Sequence, residues 1–237
     1  MKSFWYFCSL WFGLVACFNA QADGLILTTE DAPPFNYVED DGKTIAGSVT
    51  ELIHVLFKRA QVPYTIGVYP WARAIQMASM TKDTCVYSTN RTPEREKNFV
   101  WIGPVGRDDW VLMARADSTI KLTTLADAKK YTIGGYRGDA VNLHLQGQSF
   151  LIDEALDDAQ AAKKLVKGRT ELWATGGLTG PYVAKKLNIK VKTVLNFKTS
   201  ELYLACNPGT APEFIDKLNT TLQAMVKDGS VAKIQKK

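Results

Sequence analysis

Two rounds of alternation between short apolar stretches and amphipathic ones constrain this chain more than any other feature. "GLILTTE" has the composition of a strand, and "TELIHVLFKRA" has a helical period, with Leu52, Val55 and Leu56 on one face and Lys58 and Arg59 in its last turn. "YTIGVY" is again strand-like, "WARAIQMASM" helical and "TCVYST" a strand. This β-α-β-α-β order predicts a parallel sheet covered by helices. A second unit follows, with "KLTTLADAKKY" a short helix, "TIGGY" a strand, "DAVNLHLQGQ" and "ALDDAQAAKKLVKGR" helices, and "ELWATG" a strand that stops at a glycine pair. The chain closes with the strand "ELYLACN" and a helix that Pro212 opens and Gly229 breaks. No linker rich in Pro, Ser or Gly separates the units, so the sequence predicts an α/β protein of two lobes joined by ordered strand.

The first residues set the compartment. Lys2 precedes an apolar run from Phe4 to Val15, and "NAQA" ends in small residues, which is the build of a secretory signal over residues 1–22 cleaved before Asp23. The run is too short to span a bilayer core of ~30 Å as a helix. "LVAC" also fits the pattern that precedes a lipid-modified cysteine at Cys17, so the exported chain is expected in the periplasm either free or anchored there. With 29 basic and 24 acidic residues and no run of Lys and Arg, the chain has the charge pattern of no nucleic-acid partner. Cys85 and Cys206 lie outside the leader, and an even pair in an oxidising compartment reads as a disulfide, the other reading being two separate buried thiols.

Several chemistries lack their parts. The only histidines, His54 and His144, lie in helical stretches rich in solvated residues, so neither a nucleophile–base pair nor a transition-metal site can be composed. "GGYRGD" has neither the Lys-Ser/Thr ending of a phosphate-binding loop nor the spacing of a dinucleotide fingerprint. No metal and no cofactor are expected, and what is left is binding, or catalysis by carboxylates alone.

Five segments in order, "APPFNYVEDDGKTIAG", "TPERE", "IGGYRGDAV", "AKKLVKGRTELWA" and "MVKDGSVAKI", give the chain a resemblance. It resembles the periplasmic solute-binding proteins of the polar amino-acid type, family 3. The resemblance implies a two-lobed periplasmic binding protein fold of type II, with lobe 1 from residues 23–104 and 200–237, lobe 2 from 105–199 and the ligand between them. It implies a monomeric binding protein rather than an enzyme. The ligand would be a small polar, carboxylate-bearing, amino-acid-like molecule, and the closed form would be presented to a membrane ABC permease or a sensor.

It also implies a site. Arg95 stands where the family grips the ligand carboxylate, a task suited to a planar guanidinium. Ser88 and Asn90 match further polar contacts. Arg91 departs from an apolar family position and either adds a charge to the site or lies on the surface. Asp139 and Ala140 match the helix N-terminus that faces the ligand, where Asp139 is equally explained as a cap. The usual stacking ring is replaced by Ala32, and the acid that takes the ligand ammonium by Gly176 or Gly177. Glu30 and Asp31 could supply the missing acid or lie in a solvated loop. Trp71, with Arg73 beside it, could replace the ring or belong to core and surface, and Tyr87 is a further aromatic in a similar place. Two alternatives stay open. One is a dehydratase of the cyclohexadienyl type with Glu30 as its acid, the other a sensory lobe that binds no small molecule.

Overall fold

A computed structural model of the protein describes residues 24–236, so the expected signal segment and Cys17 lie outside the described residues. The first half of the chain supplies β1 (Leu25–Thr29), β2 (Tyr37–Val38), β3 (Ile45–Ala46), α1 (Ser48–Ala60), β4 (Tyr64–Val68), α2 (Trp71–Met80), β5 (Thr84–Asn90) and β6 (Val100–Arg107). Next come β7 (Trp110–Arg115), β8 (Ile133–Tyr136), α3 (Ala140–Gly147), β9 (Ile152–Ala155), α4 (Asp158–Val166), β10 (Leu172–Gly176), α5 (Thr179–Lys186) and β11 (Val191–Lys198). The chain then returns through β12 (Glu201–Cys206), α6 (Pro212–Lys227) and α7 (Ser230–Gln235).

Two five-stranded sheets result, in the orders β4-β1-β5-β12-β6 and β11-β7-β10-β8-β9. The expectation of parallel sheets is corrected here. The β-α-β units β1-β4-β5 and β8-β9-β10 are parallel, but β12 runs antiparallel to β5 and β6, and β7 runs antiparallel to β10 and β11. These antiparallel strands are the ones that enter or leave the cross-overs between halves, so their direction follows from the path of the chain. Pairing carries β6 in the first sheet through Arg107, which places the expected division after residue 104 inside a strand. The halves are joined twice, by residues 108–109 and 199–200, and the Asp108 amide donates to the Ser200 carbonyl at 3.1 Å across the two crossings.

Burial follows the strand period of two. Leu25 and Leu27 of β1 enter one core with Leu52 and Leu56 of α1 and Leu218 and Leu222 of α6. Val86 of β5 enters a second, on the opposite face, with Trp71, Ala74 and Ala78 of α2. The face is sealed where Thr28 Oγ1 donates to the Ala74 carbonyl at 3.0 Å. Cys85 and Cys206, opposite one another in β5 and β12 and fully buried, form a disulfide. The second half packs Trp110, Leu112 and Leu145 on one side of its sheet and Met113, Leu165 and Trp173 on the other.

Candidate functional site

Both sheets present the C-terminal ends of parallel strands to the same gap, which is where open α/β sheets place their ligand groups. Glu30 follows β1, Trp71 opens α2 after β4, and Asn90 ends β5; Tyr136 ends β8, and Asp139 precedes α3. Asp158 opens α4, and Gly176 ends β10. All seven line a cavity of about 60 Å3 between the halves. Asp108, in the first crossing segment, completes the wall.

The halves are fastened across this cavity by four hydrogen bonds, one of them from Trp110 Nε1 to Asn90 Oδ1 at 3.3 Å. Trp71 Nε1 donates to the Gly138 carbonyl at 2.8 Å, an Arg95 terminal nitrogen donates to the same oxygen at 2.9 Å, and Tyr136 Oη donates to Glu30 Oε1 at 2.9 Å. Gly138 holds its carbonyl there at φ 74°, a left-handed conformation in which a side chain would be strained.

The electrostatics of the wall are acidic. Burial, aided by the negative charges of Asp139 and Asp158, pushes Glu30 up to about 8 against the opposing Tyr136 hydrogen bond and Arg95 charge. Burial pushes Asp158 up to about 7, although Trp173 Nε1 donates to one of its oxygens and Thr175 Oγ1 to the other, both at 2.7 Å. Asp139 rises to about 6 from burial, held back by Arg95 and by the nearby amides of Ala140, Asn142 and Val141, none of which makes a cap hydrogen bond of full geometry. Asp108 is also raised by burial, with the Leu178 amide (2.8 Å) and Thr179 Oγ1 (2.9 Å) opposing. Such shifts gather where a site is built for charge.

A consequence for stability follows. An acid raised in the folded state binds more protons there than in the unfolded chain, so its contribution is complete below the ordinary carboxylate range and is lost as pH rises through the folded pKa. Thermal unfolding of the ligand-free protein should therefore show a higher midpoint near pH 5 than near pH 8, with a difference on the order of a few kcal/mol once the accessible surface of Glu30 and Asp158 is allowed for. Exposed acids held low by their partners, such as Asp228 at about 2, are ionised throughout that window and do not contribute to the slope. A flat profile over that range would contradict the buried acids.

The structure sorts the residues singled out in the sequence. Trp71, Asn90, Ser88, Glu30, Asp139 and Gly176 come together at the cavity, with Asp31 exposed at its rim. Ser88 adopts φ 58° and donates to Asn36 Oδ1. Arg95 is only 6% exposed but stands behind the wall. It is held by the Asn90 carbonyl at 3.1 Å and by Gly138, and lies 5.1 Å from the centre of the Trp71 ring.

Four candidates are not brought to the cavity. Arg91 turns outward to pair with Glu96 at 2.6 Å and lies over the rings of Trp101 and Tyr203. Arg73 is exposed, over Tyr69, because the helical period turns it away from Trp71. Tyr87 points into the first core, where it pairs with Thr50 at 3.1 Å, and Ala140 is buried in the first turn of α3. Sequence reasoning missed Asp108, Asp158, Trp110, Tyr136 and Thr175. The "DD" of "ALDDAQ" held a signal: Asp157 caps α4 by accepting from the Gln160 amide at 2.7 Å, which leaves Asp158 free to turn inward. A Cβ on Gly176 would collide with Asp108 Oδ2, so the Asp108 carboxylate fills the space that a side chain at position 176 would take.

The family model for bacterial extracellular solute-binding proteins, family 3, matches residues 25–237. Among solved structures, a histidine kinase sensor domain with similarity to periplasmic binding proteins superposes with a TM-score of 0.83 at 16% identity, covering 89% of this chain and 93% of that one. Holo ArgBP from T. maritima superposes with a TM-score of 0.77 at 18% identity, over 90% and 94% of the two chains. The ancestral amino acid-binding protein AncCDT-1, a precursor of cyclohexadienyl dehydratase, gives 0.75 at 23% identity, over 89% and 92%. No curated protein sequence matches the chain. At these identities the likeness to solved structures speaks for the fold, which is that of type II periplasmic binding proteins.

Proposed function

Because this chain belongs to the bacterial extracellular solute-binding proteins, family 3, we propose that it is an exported, monomeric receptor that closes its halves over one small polar solute. The closed form is then handed to a membrane permease or to a sensor. The observation that carries this reading is the cavity between the halves, lined from both sides and fastened across by Trp71, Arg95 and Tyr136. Contacts drawn from two bodies exist together only when the bodies are shut, so a solute that touches both shifts the population toward closure. In this reading the solute is amino-acid-like, and Arg95, which donates to the Asn90 and Gly138 carbonyls, fastens the closed state rather than clamping a carboxylate.

A thermal-shift screen of amino acids, polyamines, dicarboxylates and small peptides tests the reading, and one class is expected to raise the unfolding midpoint. For the solute so found, Trp71→Phe keeps the ring but removes the bond to Gly138, and should weaken binding about threefold to tenfold in calorimetry. Unchanged affinity would take Trp71 out of the closing mechanism. A second reading is favoured by Glu30 alone: an acid pushed up to about 8 remains protonated at neutral pH, as a general acid must. Turnover of a prephenate-like substrate, lost in Glu30→Gln, would establish that dehydratase reading, and its absence would leave binding as the function.

A further inference from the structure

We infer that the turn joining β2 to β3 and the end of α5 form an electrostatic latch between the halves, so that their closure is tuned by ionic strength. This rests on the solute-binding reading above and names a regulation of the same movement.

The latch is built around a second space between the halves. A groove of about 670 Å3 has Glu39, Asp40 and Asp41 of the first half on one wall and Lys185 and Lys186 of the second on the other. The walls meet at Tyr37 and Tyr182, whose ring centroids lie 6.0 Å apart with 34° between their planes. Every carboxylate lining the groove thus belongs to one half and every ammonium to the other. Charges scattered at random over two bodies would not sort by sign across one groove.

The local sequence decides which of these charges are free to act. Asp41 is committed inside the turn, where it accepts from the Lys43 and Thr44 amides, both at 2.8 Å, and from Thr44 Oγ1 at 2.6 Å. Glu39 and Asp40, just ahead of it, stay exposed. On α5 the helical period buries Val183 and Ala184 and leaves Lys185 and Lys186 exposed in the last turn. Among the described residues, no ion pair takes up Glu39, Asp40, Lys185 or Lys186. They act on one another through solvent, beyond ion-pair distance.

The same polarity recurs outside the groove. Asp31, exposed at the rim of the solute cavity in the first half, lies in the field of Lys186. Glu94 of the first half lies in the field of Lys198 of the second, which stands 4.3 Å from the centre of the Trp110 ring. The charges of opposing sense are Lys43 in the turn and Asp157 near Asp31.

A single exposed pair contributes little. Two acids against two lysines act together, because all their separations lengthen when the halves part, so their effects multiply in one equilibrium. The screening length is ~30 Å in 0.01 M salt and ~8 Å in 0.15 M, so the attraction spans the groove in dilute solution and fades as salt rises.

Small-angle X-ray scattering of the ligand-free mature chain, extrapolated to zero protein concentration in about 0.02 M and about 0.5 M sodium chloride, tests this. The radius of gyration is expected to rise with salt, the ratio of closed to open molecules falling about threefold to tenfold. Lys185→Glu with Lys186→Glu should give the open value already at low salt. Adding Glu39→Lys and Asp40→Lys to that variant inverts both walls and should restore the closed value, which also shows that the reversed side chains leave the fold intact. A radius indifferent to salt, or an inverted variant that stays open, would overturn the latch whatever solute is found. Salt-dependent scattering alongside a flat thermal-shift screen would support the latch and remove the receptor reading.

Discussion

Replacing Cys85 and Cys206 together with alanine is expected to lower the thermal unfolding midpoint of the ligand-free protein by about 10 °C or more. The bridge closes a loop of 121 residues that contains the entire second half. In the chain-entropy account a loop of that length is worth about 4–5 kcal/mol, and measured values for native bridges run about 2–5. In a chain of this size each kcal/mol moves the midpoint by about 2–4 °C. Removing two sulfurs from residues with no exposed surface adds a small packing loss in the same direction. Differential scanning calorimetry of the two proteins measures the change. Equal midpoints, or a wild-type midpoint indifferent to strong reductant, would mean the cross-link does not form in the native chain.

The second large effect is expected at Gly176. Alanine there would drive its Cβ into Asp108 Oδ2, a carboxylate already fixed by the Leu178 amide and Thr179 Oγ1. Either the carboxylate leaves, so that the start of α5 loses its cap and a buried charge loses its donors, or the end of β10 moves into the cavity. Both routes cost about 2–4 kcal/mol of stability, and both spoil the closed geometry, so solute affinity should fall about a hundredfold. Gly177→Ala is the control. Its nearest neighbour would be the Asp109 carbonyl oxygen at 3.4 Å, an ordinary contact, and its affinity should stay within a few-fold of the parent. If Gly176→Ala bound as well as Gly177→Ala, Asp108 would not be part of the wall.

Much of the first half was legible because each of its elements carries its own signal. β1, α1, β4, α2 and β5 alternate in period and are bounded by caps and turns, and Pro212 and Gly229 bracket α6. The sequence left β7 and β11 unassigned for a physical reason. "WVLMAR" is a continuous apolar run that periodicity cannot distinguish from buried helix, and "VKTVLNFK" in β11 packs Val194, Leu195 and Phe197 only partly buried against the core, without a clean alternation of two. Both are made strands by each other and by β10, which is information held in pairing.

At the site, residues announced by strand ends or loops, such as Glu30, Trp71 and Asn90, were visible. Asp158 looked like half of a capping pair, and only the fold brings Trp173 and Thr175 to it. Arg95 was found, but the orientation of its fork was not, because that depends on the Gly138 carbonyl of the opposite half, 43 residues away in sequence.

The joint between the halves carries a meaning beyond connection. Asp108 donates its amide to Ser200, the other crossing strand, while its carboxylate steadies α5 and faces the space where the solute would rest. One residue thus belongs both to the crossing between the halves and to the charged wall of the cavity. If the halves close over a solute as proposed, a change of charge at Asp108 would be felt at the joint itself, with no relay between wall and crossing segment.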